Sequence, residues 1–266
     1  MPFYKKILRQ VSIRIFNYIE NNNITNFSKN GEKNFIEKLF NYLNNTYANG
    51  GGDIILFDIG ANVGNYSMML KTNSNKNNLN YKIHLFEPTQ YCFNEILKKF
   101  RNKNKFILNN FGISHRNSKS KIYYDNEGSG LASLYHRDLK HYSIELGKAE
   151  EIMLRRLDEY IEENAIKHIN FMKIDIEGHE LRAFEGMGDY LNCNFIDFIQ
   201  FEYGGANLDS HSSLLEIYNL FENRGFNVAK VMVNGLEVRK YKPFMDNFNY
   251  ANYVAISEKV LKGLSI

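Results

Sequence analysis

The N-terminal part of the chain carries apolar residues at intervals of three and four, with cations between them. The apolar positions that recur at helical spacing are Phe3, Ile7, Val11, Ile15 and Ile19, with Leu8 and Phe16 alongside. This spacing predicts an amphipathic helix, and we expect its apolar stripe to pack on the main domain. A contact between two copies of the chain (a homo-oligomer) and an anchor on a membrane surface are the alternatives.

A second helical pattern covers residues 32–47 and stops near three consecutive glycines at 50–52. Because glycines continue a helix poorly, they mark a boundary. We therefore divide the chain into an N-terminal helical extension, residues 1–49, and one larger domain, residues 50–266.

Beyond the glycines, short apolar runs alternate with helical patterns. Runs of strand length occur at 54–58, 82–86, 105–108, 171–174, 195–201, 226–232 and 253–257. This alternation predicts an α/β fold with a mostly parallel sheet of seven strands and helices on both faces. Ligands of such sheets bind at the carboxyl ends of the strands. The less regular stretch 114–153 is expected to hold a hairpin or a lid.

Composition removes several classes of protein from consideration. The net charge of +3 over 266 residues is too weak to indicate a nucleic-acid partner. Cys92 and Cys193 lie far apart, which argues against a disulfide scaffold or zinc ribbon and favours a cytoplasmic location. No apolar run approaches the roughly 18 residues of a transmembrane segment, and the N-terminus does not resemble a signal peptide. The asparagine runs at 21–23 and 73–78 are interpreted as codon bias in loops.

The turn after the first predicted strand has the features of a nucleotide-type binding loop. Gly60 and Gly64 allow unusual dihedral angles and close approach of a ligand, and free N–H groups at the helix start would face it. Asp58, at the strand end, would repel a pyrophosphate but suits a ligand with an ammonium group, such as S-adenosylmethionine. A plain strand-to-helix turn capped by Asp58 is the alternative.

Glu87 follows the second predicted strand, one strand–helix–strand unit beyond Asp58. A carboxylate at this place can accept hydrogen bonds from both hydroxyls of a ribose. We therefore expect Glu87 to bind the ribose of the ligand.

Five motifs in order resemble the FkbM family of methyltransferases, which are class I (Rossmann-like) enzymes that use S-adenosylmethionine. These motifs are Asp58–Gly64, Phe86–Pro88, Asn110–Ser114, Arg156–Tyr160 and Lys173–Glu180. The resemblance implies an O-methyltransferase that acts on a hydroxyl of a sugar, either a nucleotide-linked sugar or a surface glycan.

The resemblance also assigns residues to parts of the cofactor. Residues implied to line it are Asp58, Gly60, Ala61, Asn62, Gly64, Tyr66, Glu87, Asn110, Phe111, Gly112 and Asp175. Of these, Asn110 to Gly112 would lie beside the adenine, and the loop 129–133 would close over the cofactor.

Acidic residues crowd the ends of the fourth and fifth predicted strands. Asp175, Glu177, His179 and Glu180 follow one strand, and Glu202 ends the next. Because neighbouring strands lie about 5 Å apart, Asp175 and Glu202 are expected to converge beside the transferred methyl group.

Two chemical interpretations of this cluster stay open. Asp175 or His179 would act as a general base on the acceptor hydroxyl, with Glu202 beside it. Alternatively, Asp175, Glu177 and Glu202 would bind a divalent metal, Mg²⁺ or Mn²⁺, or Fe²⁺ if an imidazole joins the set. We lean to the metal because so many acids need a counter-charge.

Two other functions remain as alternatives to methyl transfer. One is a nucleotide-cofactor oxidoreductase on the same type of sheet, although the chain lacks the G-x-G-x-x-G pattern. The other is a catalytically silent binding protein that keeps the fold.

Overall fold

The computed structural model describes residues 2–47, 52–101 and 104–263. Its strands are β1 (Ile54–Ile59), β2 (Tyr81–Phe86), β3 (Phe106–Asn109), β4 (Gly112–Ile113), β5 (Ser118–Tyr124), β6 (Lys148–Arg155), β7 (Ile169–Ile174), β8 (Ile196–Tyr203), β9 (Phe226–Met232), β10 (Gly235–Val238) and β11 (Ala251–Ser257). Its α-helices are α1 (Phe3–Ile19), α2 (Glu32–Tyr47), α3 (Asn65–Lys76), α4 (Gln90–Lys99), α5 (Leu157–Glu163), α6 (Glu180–Glu185), α7 (Gly205–Ser210), α8 (Leu214–Glu222) and α9 (Glu258–Gly263).

The main sheet contains the seven predicted strands in the order β3-β2-β1-β7-β8-β11-β9. The pairs from β3 to β8 are parallel, and β11 runs antiparallel to both of its neighbours. This arrangement confirms the predicted class I methyltransferase-like α/β fold. An eighth strand that was not predicted, β10, pairs antiparallel with β9 at the edge of the sheet.

Helices cover both faces of the sheet, which explains why its central strands are apolar along their length. Phe57 and Ile59 of β1 pack into one core together with residues of α5, α6 and α8. Ile54 and Leu56 of the same strand point to the other face, where α2, α3, α4 and α9 pack. The alternation along β1 therefore divides the core into two layers.

The predicted N-terminal extension contains two helices that behave differently. α2 contributes Phe35, Ile36 and Phe40 to the second core layer, so it shares the core of the larger domain. α1 contributes no buried residue, and the prediction that its stripe packs on the domain was wrong. Only Phe16 of the stripe is half-buried, against Phe244. Of the three boundary glycines, Gly50 and Gly51 lie outside the described residues, as does Asn49.

The two asparagine runs differ in structure, since 21–23 lie in the loop between α1 and α2 and 73–76 lie in α3. Asn21 and Asn23 adopt positive φ angles of 54° and 60°, a conformation that asparagine tolerates better than most residues. The buried Asn21 side chain donates to the carbonyls of Asn30 and Val231. The second run mostly continues α3 to its end at Lys76. Residues 21–23 therefore lie in a loop, as predicted, whereas the loop interpretation was wrong for the part of the second run that lies in α3.

The irregular stretch 114–153, for which a hairpin or a lid was expected, contains a hairpin. β5 pairs antiparallel with β6, and β4 adds to β6 to form a second sheet of three strands. Ile122, Ile152 and Leu154 form a small apolar cluster on this sheet. Their side chains face the carboxyl edge of the main sheet and form part of a cleft there.

In the part of the chain that the structure describes, no helix has the length and apolar character needed to cross a bilayer. Cys92 is buried and Cys193 partly buried, and both are free thiols.

Candidate active site

A cleft lies where β1, β2 and β7 end, under the three-stranded sheet. It encloses about 750 Å³ of space, counting the part that opens to solvent. Predicted site residues that line it are Gly60, Asn62, Glu87, Gly112, Asp175, Glu177 and His179. Apolar side chains, among them Phe86, Ile113 and Leu134, form most of its remaining wall.

The glycine loop passes directly over the end of β7. Gly60 has a φ of +81°, and a Cβ at this position would lie 1.9 Å from the carbonyl oxygen of Asp175. The backbone amide of Asp175 in turn donates to the carbonyl of Ile59 at 3.0 Å. Only glycine fits this turn, and the close approach sets the loop beside the acids that follow β7.

The amides of the glycine loop at 60–62 and 64 are hydrogen-bonded within the protein. That free N–H groups at the start of α3 face a ligand stays a prediction. The amides of Gly60 and Ala61 donate to the carbonyl of Phe86, and that of Gly64 donates to the carbonyl of Ala61. The amide of Asn62 donates to Glu87 Oε2 at 2.8 Å. The loop therefore offers no set of free donors at 60–62 and 64 for a phosphate, in keeping with a ligand that has none.

Asp58 lies beneath the loop and does not line the cleft. Its side chain is fully buried, Oδ2 accepts a hydrogen bond from Ser67 Oγ at 2.6 Å, and Oδ1 has no protein donor. Burial raises the pKa of Asp58, although the nearby Lys173 acts in the opposite direction. Its assignment to the cofactor stays a prediction.

Glu87 lines the cleft but already braces the loop. In addition to the Asn62 amide, it accepts hydrogen bonds from the Thr89 amide at 2.8 Å and the Thr89 hydroxyl at 2.5 Å, both at Oε1. Burial raises the pKa of Glu87, while these hydrogen bonds from Thr89 and Asn62 oppose the shift. A ribose would therefore share this carboxylate with the protein.

The remaining cofactor residues expected from the resemblance lie around the cleft but not on its wall. These residues are Ala61, Gly64, Tyr66, Asn110 and Phe111. The Asn110 side chain donates to the carbonyls of Glu87 and Pro88, and so fixes the turn after β2. The Tyr66 hydroxyl donates to Gln200 Oε1 at 2.6 Å, away from the cleft.

The predicted convergence of acids is present. Carboxylate oxygens of Asp175, Glu177 and Glu202 lie within 4.8 Å of one another, with each residue partly exposed. Burial, followed by repulsion from Asp175, raises the pKa of Glu177 to about 8. The same two causes raise the pKa of Glu202 well above its ordinary value. Near neutral pH, the cluster therefore retains protons.

Two cations that sequence reasoning missed partly compensate these acids. Lys173 Nζ lies 2.7 Å from Asp175 Oδ2, and Arg137 Nη1 lies 2.6 Å from Glu177 Oε2. Burial acts to lower the pKa of Lys173, but the charges of Asp175 and Asp58 raise it above its ordinary value. In the sequence, the need of these acids for a counter-charge favoured a metal. In the structure, the two cations supply part of that counter-charge.

His179 is held by two hydroxyl groups. Its Nε2 lies 2.9 Å from Ser114 Oγ, and its Nδ1 lies 2.9 Å from Tyr135 Oη. Burial, with a smaller effect of the nearby His115, lowers the pKa of His179 to about 4. Both ring nitrogens are hydrogen-bonded, so this geometry leaves neither free to act as a base or to bind a metal.

The loop 129–133 contacts the cleft, and its closure over the cofactor stays a prediction. Ser129, Gly130 and Ala132 line it, and the Asn62 side chain donates to the Ser129 carbonyl at 2.9 Å. Ser133 Oγ donates to the carbonyl of Glu177 at 2.8 Å. This loop therefore connects the glycine loop to the acidic cluster across the top of the cleft.

The residues present fit S-adenosylmethionine better than they fit a metal. Apolar walls suit an adenine, and partly buried carboxylates suit the positive sulfonium. A metal would find three oxygen ligands of the type Mg²⁺ prefers, but Asp175 and Glu177 are already paired with cations.

Comparison with known proteins agrees with this geometry. A model of the methyltransferase FkbM domain matches residues 58–228, which is more than half of the chain. No curated protein sequence matches it.

Several solved structures are similar to the chain. The methyltransferase FkbM of Methylobacillus flagellatus KT matches 80% of this chain and 47% of its own, with 15% identity and a TM-score of 0.46. The fibrillarin pre-rRNA processing protein of Methanococcus jannaschii matches 77% and 67%, with 12% identity and a TM-score of 0.42. Aeropyrum pernix fibrillarin, with natively bound S-adenosyl-L-methionine, matches 77% and 66%, with 12% identity and a TM-score of 0.37. The chain spans about half the length of the first of these.

Proposed function

This chain belongs to the FkbM methyltransferase family, and we propose that it transfers a methyl group from S-adenosylmethionine to a hydroxyl of a saccharide. The acceptor is a nucleotide-linked sugar or a surface glycan. The observation that carries the proposal is the shared cleft. Gly60 and Asn62 of the glycine loop line it together with Asp175 and Glu177 of the acidic cluster.

S-adenosylmethionine, when bound, supplies a methyl group that is already activated on a sulfonium. The chain's own residues then have to orient the acceptor and take its proton. Burial and repulsion raise the pKa of Glu177 to about 8 and that of Glu202 well above its ordinary value, which favours the protonated forms of both carboxyls. Asp175, paired with Lys173, is the carboxylate of the cluster that we assign to accept the hydroxyl proton.

A metal is the second version of the same proposal. Mg²⁺ or Mn²⁺ on Asp175, Glu177 and Glu202 would polarise the acceptor oxygen and replace the protons that the cluster holds. Fe²⁺ has less support because it prefers an imidazole, and both nitrogens of His179 are hydrogen-bonded. A cytoplasmic location, expected from the free cysteines, belongs to the proposal too.

The test is methyl transfer from isotope-labelled S-adenosylmethionine to a panel of nucleotide sugars and glycans, with and without a chelator. We expect a methyl ether on one acceptor and at least a hundredfold loss of kcat in Asp175→Asn, as removal of a proton acceptor predicts. Glu95→Gln, an isosteric change of an acid outside the cleft, is the matched control and should retain activity.

Each result separates one version from the others. Activity that survives exhaustive chelation supports the base, whereas loss that Mg²⁺ or Mn²⁺ restores supports the metal. If calorimetry shows cofactor binding but no hydroxyl compound is methylated, the chain is a catalytically silent binding protein. A thermal shift with a dinucleotide but none with S-adenosylmethionine would favour the oxidoreductase.

A further inference from the structure

α1 exposes an apolar surface that no other residue described by the structure covers. Its exposed members include Phe3, Ile7, Leu8, Val11, Ile15 and Ile19. At about 100° per residue, they fall together with Tyr4 and Tyr18 in one arc of about 160°. We call these eight residues the apolar arc. Phe3 is 78% exposed and Tyr18 is 85% exposed.

The apolar arc points away from the protein body. Residues of the helix and its cap that are partly buried are Phe16, Asn17 and Glu20, and all three lie on the opposite side of the helix. Phe16 packs edge-to-face on Phe244, with ring centroids 6.2 Å apart. The body therefore contacts the polar side of α1, so the arc is accessible to a broad, flat partner.

The base of the helix is firmly attached to the domain. Glu20 forms ion pairs with Lys230 and Arg239, and Lys230 Nζ also donates to Asn22 Oδ1 at 2.8 Å. The Asn23 amide donates to the carbonyl of Tyr250 at 2.8 Å. α1 is thus presented in a defined orientation.

The charge of α1 has one sign. Lys5, Lys6, Arg9 and Arg14 are its ionisable cations, and no Asp or Glu occurs between Phe3 and Ile19. Lys5 and Arg14 are the two cations placed to meet a surface that the arc contacts. Lys5 lies about 40° beyond one edge of the apolar arc, and Arg14 lies within the arc near its other edge, where long cationic side chains can reach lipid headgroups while their stems stay on apolar surface.

We propose that α1 is an interfacial helix that attaches the protein to a membrane surface bearing anionic lipids. The apolar arc enters the boundary between headgroups and acyl chains, and the cations contact the phosphates. The exposed Tyr4 and Tyr18 place aromatic rings with a polar hydroxyl at the level where such side chains are enriched. A second copy of the chain fits less well, because two α1 helices would bring together cations without any acid to pair with them.

The test measures binding of the full chain to vesicles by flotation. We expect binding to vesicles of phosphatidylcholine with phosphatidylglycerol, weak binding to phosphatidylcholine alone, and weakening by salt. The double variant Lys5→Gln, Arg14→Gln should bind roughly 25-fold more weakly, from about a fivefold effect per cation near an anionic surface. Ile7→Ser with Val11→Ser should abolish most binding.

Ile13→Ser is the matched control, since Ile13 is 52% exposed on the same helix but outside the arc. It should bind like the wild type. Hydrogen exchange provides a second readout, in which vesicles should protect the amides of α1.

Three results would overturn the proposal. These are an unaltered affinity of the double serine variant, the absence of binding to anionic vesicles, and a vesicle-independent dimer that the same substitutions abolish in sedimentation. Because no residue of the cleft is changed, these results do not depend on whether methyl transfer is the activity.

Discussion

Glu87 allows a direct test of how the protein holds its cofactor. The ionised carboxylate offers about four lone-pair positions. Three of them already accept hydrogen bonds, from the amides of Asn62 and Thr89 and from the Thr89 hydroxyl. One position is left for a ribose hydroxyl, so bracing of the loop and binding of the ribose compete for the same group.

The change Glu87→Gln keeps the size of the side chain but converts one acceptor oxygen to a donor. Whichever way the amide turns, the Asn62 amide or the Thr89 amide loses its acceptor. A buried donor left without a partner costs about 1–3 kcal/mol of the free energy of unfolding. Loss of a charged acceptor for the ribose costs a similar amount of binding free energy, or about a 10- to 100-fold rise in Kd.

Calorimetric titration with S-adenosylmethionine and thermal unfolding measure the two effects separately. We expect a Tm lower by about 2–10 °C together with the higher Kd. Thr89→Val removes only the hydroxyl bond and should cost less stability while leaving the carboxylate available to the ribose. An unchanged Kd for Glu87→Gln at a lower Tm would refute the ribose role and leave Glu87 as a brace alone.

Three further predictions concern the elements that shape the cleft. Gly60→Ala should strongly lower Tm because its Cβ would meet the Asp175 carbonyl, whereas Gly130→Ala, with no atom within 4 Å, should have little effect on it. Burial raises the pKa of Glu180 from 4.5 to about 7, so the folded chain holds a proton that the unfolded chain releases. The free energy of unfolding should fall by about 3 kcal/mol as pH rises from about 4.5 to above 7, and urea titrations of Glu180→Gln should lack this fall. In the same urea assay, Lys173→Met should lower the free energy of unfolding by about 3 kcal/mol at neutral pH. The loss should be smaller in acid, because protonated carboxyl groups no longer need the cation.

The sheet could be predicted because its strands are buried on both faces. Such strands are mostly apolar runs bounded by turns, and this pattern marks six of the seven. The shorter β3, at the edge of the sheet, is buried only at its two end residues. β10 escaped prediction because it is a short edge strand with a mixed pattern, Gly235–Val238. The packing of α1 was mispredicted for a different reason. An amphipathic pattern states that a helix has an apolar face, but not which surface covers that face.

Some residues of the site could be predicted from the local sequence, whereas others depend on contacts between distant parts of the chain. Gly60 and Glu87 follow strands, so their position beside the cleft could be read from the order of the elements. Lys173 could also have been found, because it lies two residues before Asp175 on the same side of β7. Arg137 gave no signal, since it reaches Glu177 from an irregular segment and across 40 positions of sequence.

The counter-charges change what the acidic cluster implies. In the sequence, several acids without cations indicated a metal. In the fold, Lys173 and Arg137 compensate part of that charge, and Arg137 divides its contacts between Glu177 and Asp209. The three converging carboxylates therefore carry more negative charge than the two cations compensate. This excess contributes to the raised pKa values of Glu177 and Glu202, which favour their protonated forms. A site in that state favours a cation that replaces a proton, and the sulfonium of the proposed cofactor meets this requirement without a metal.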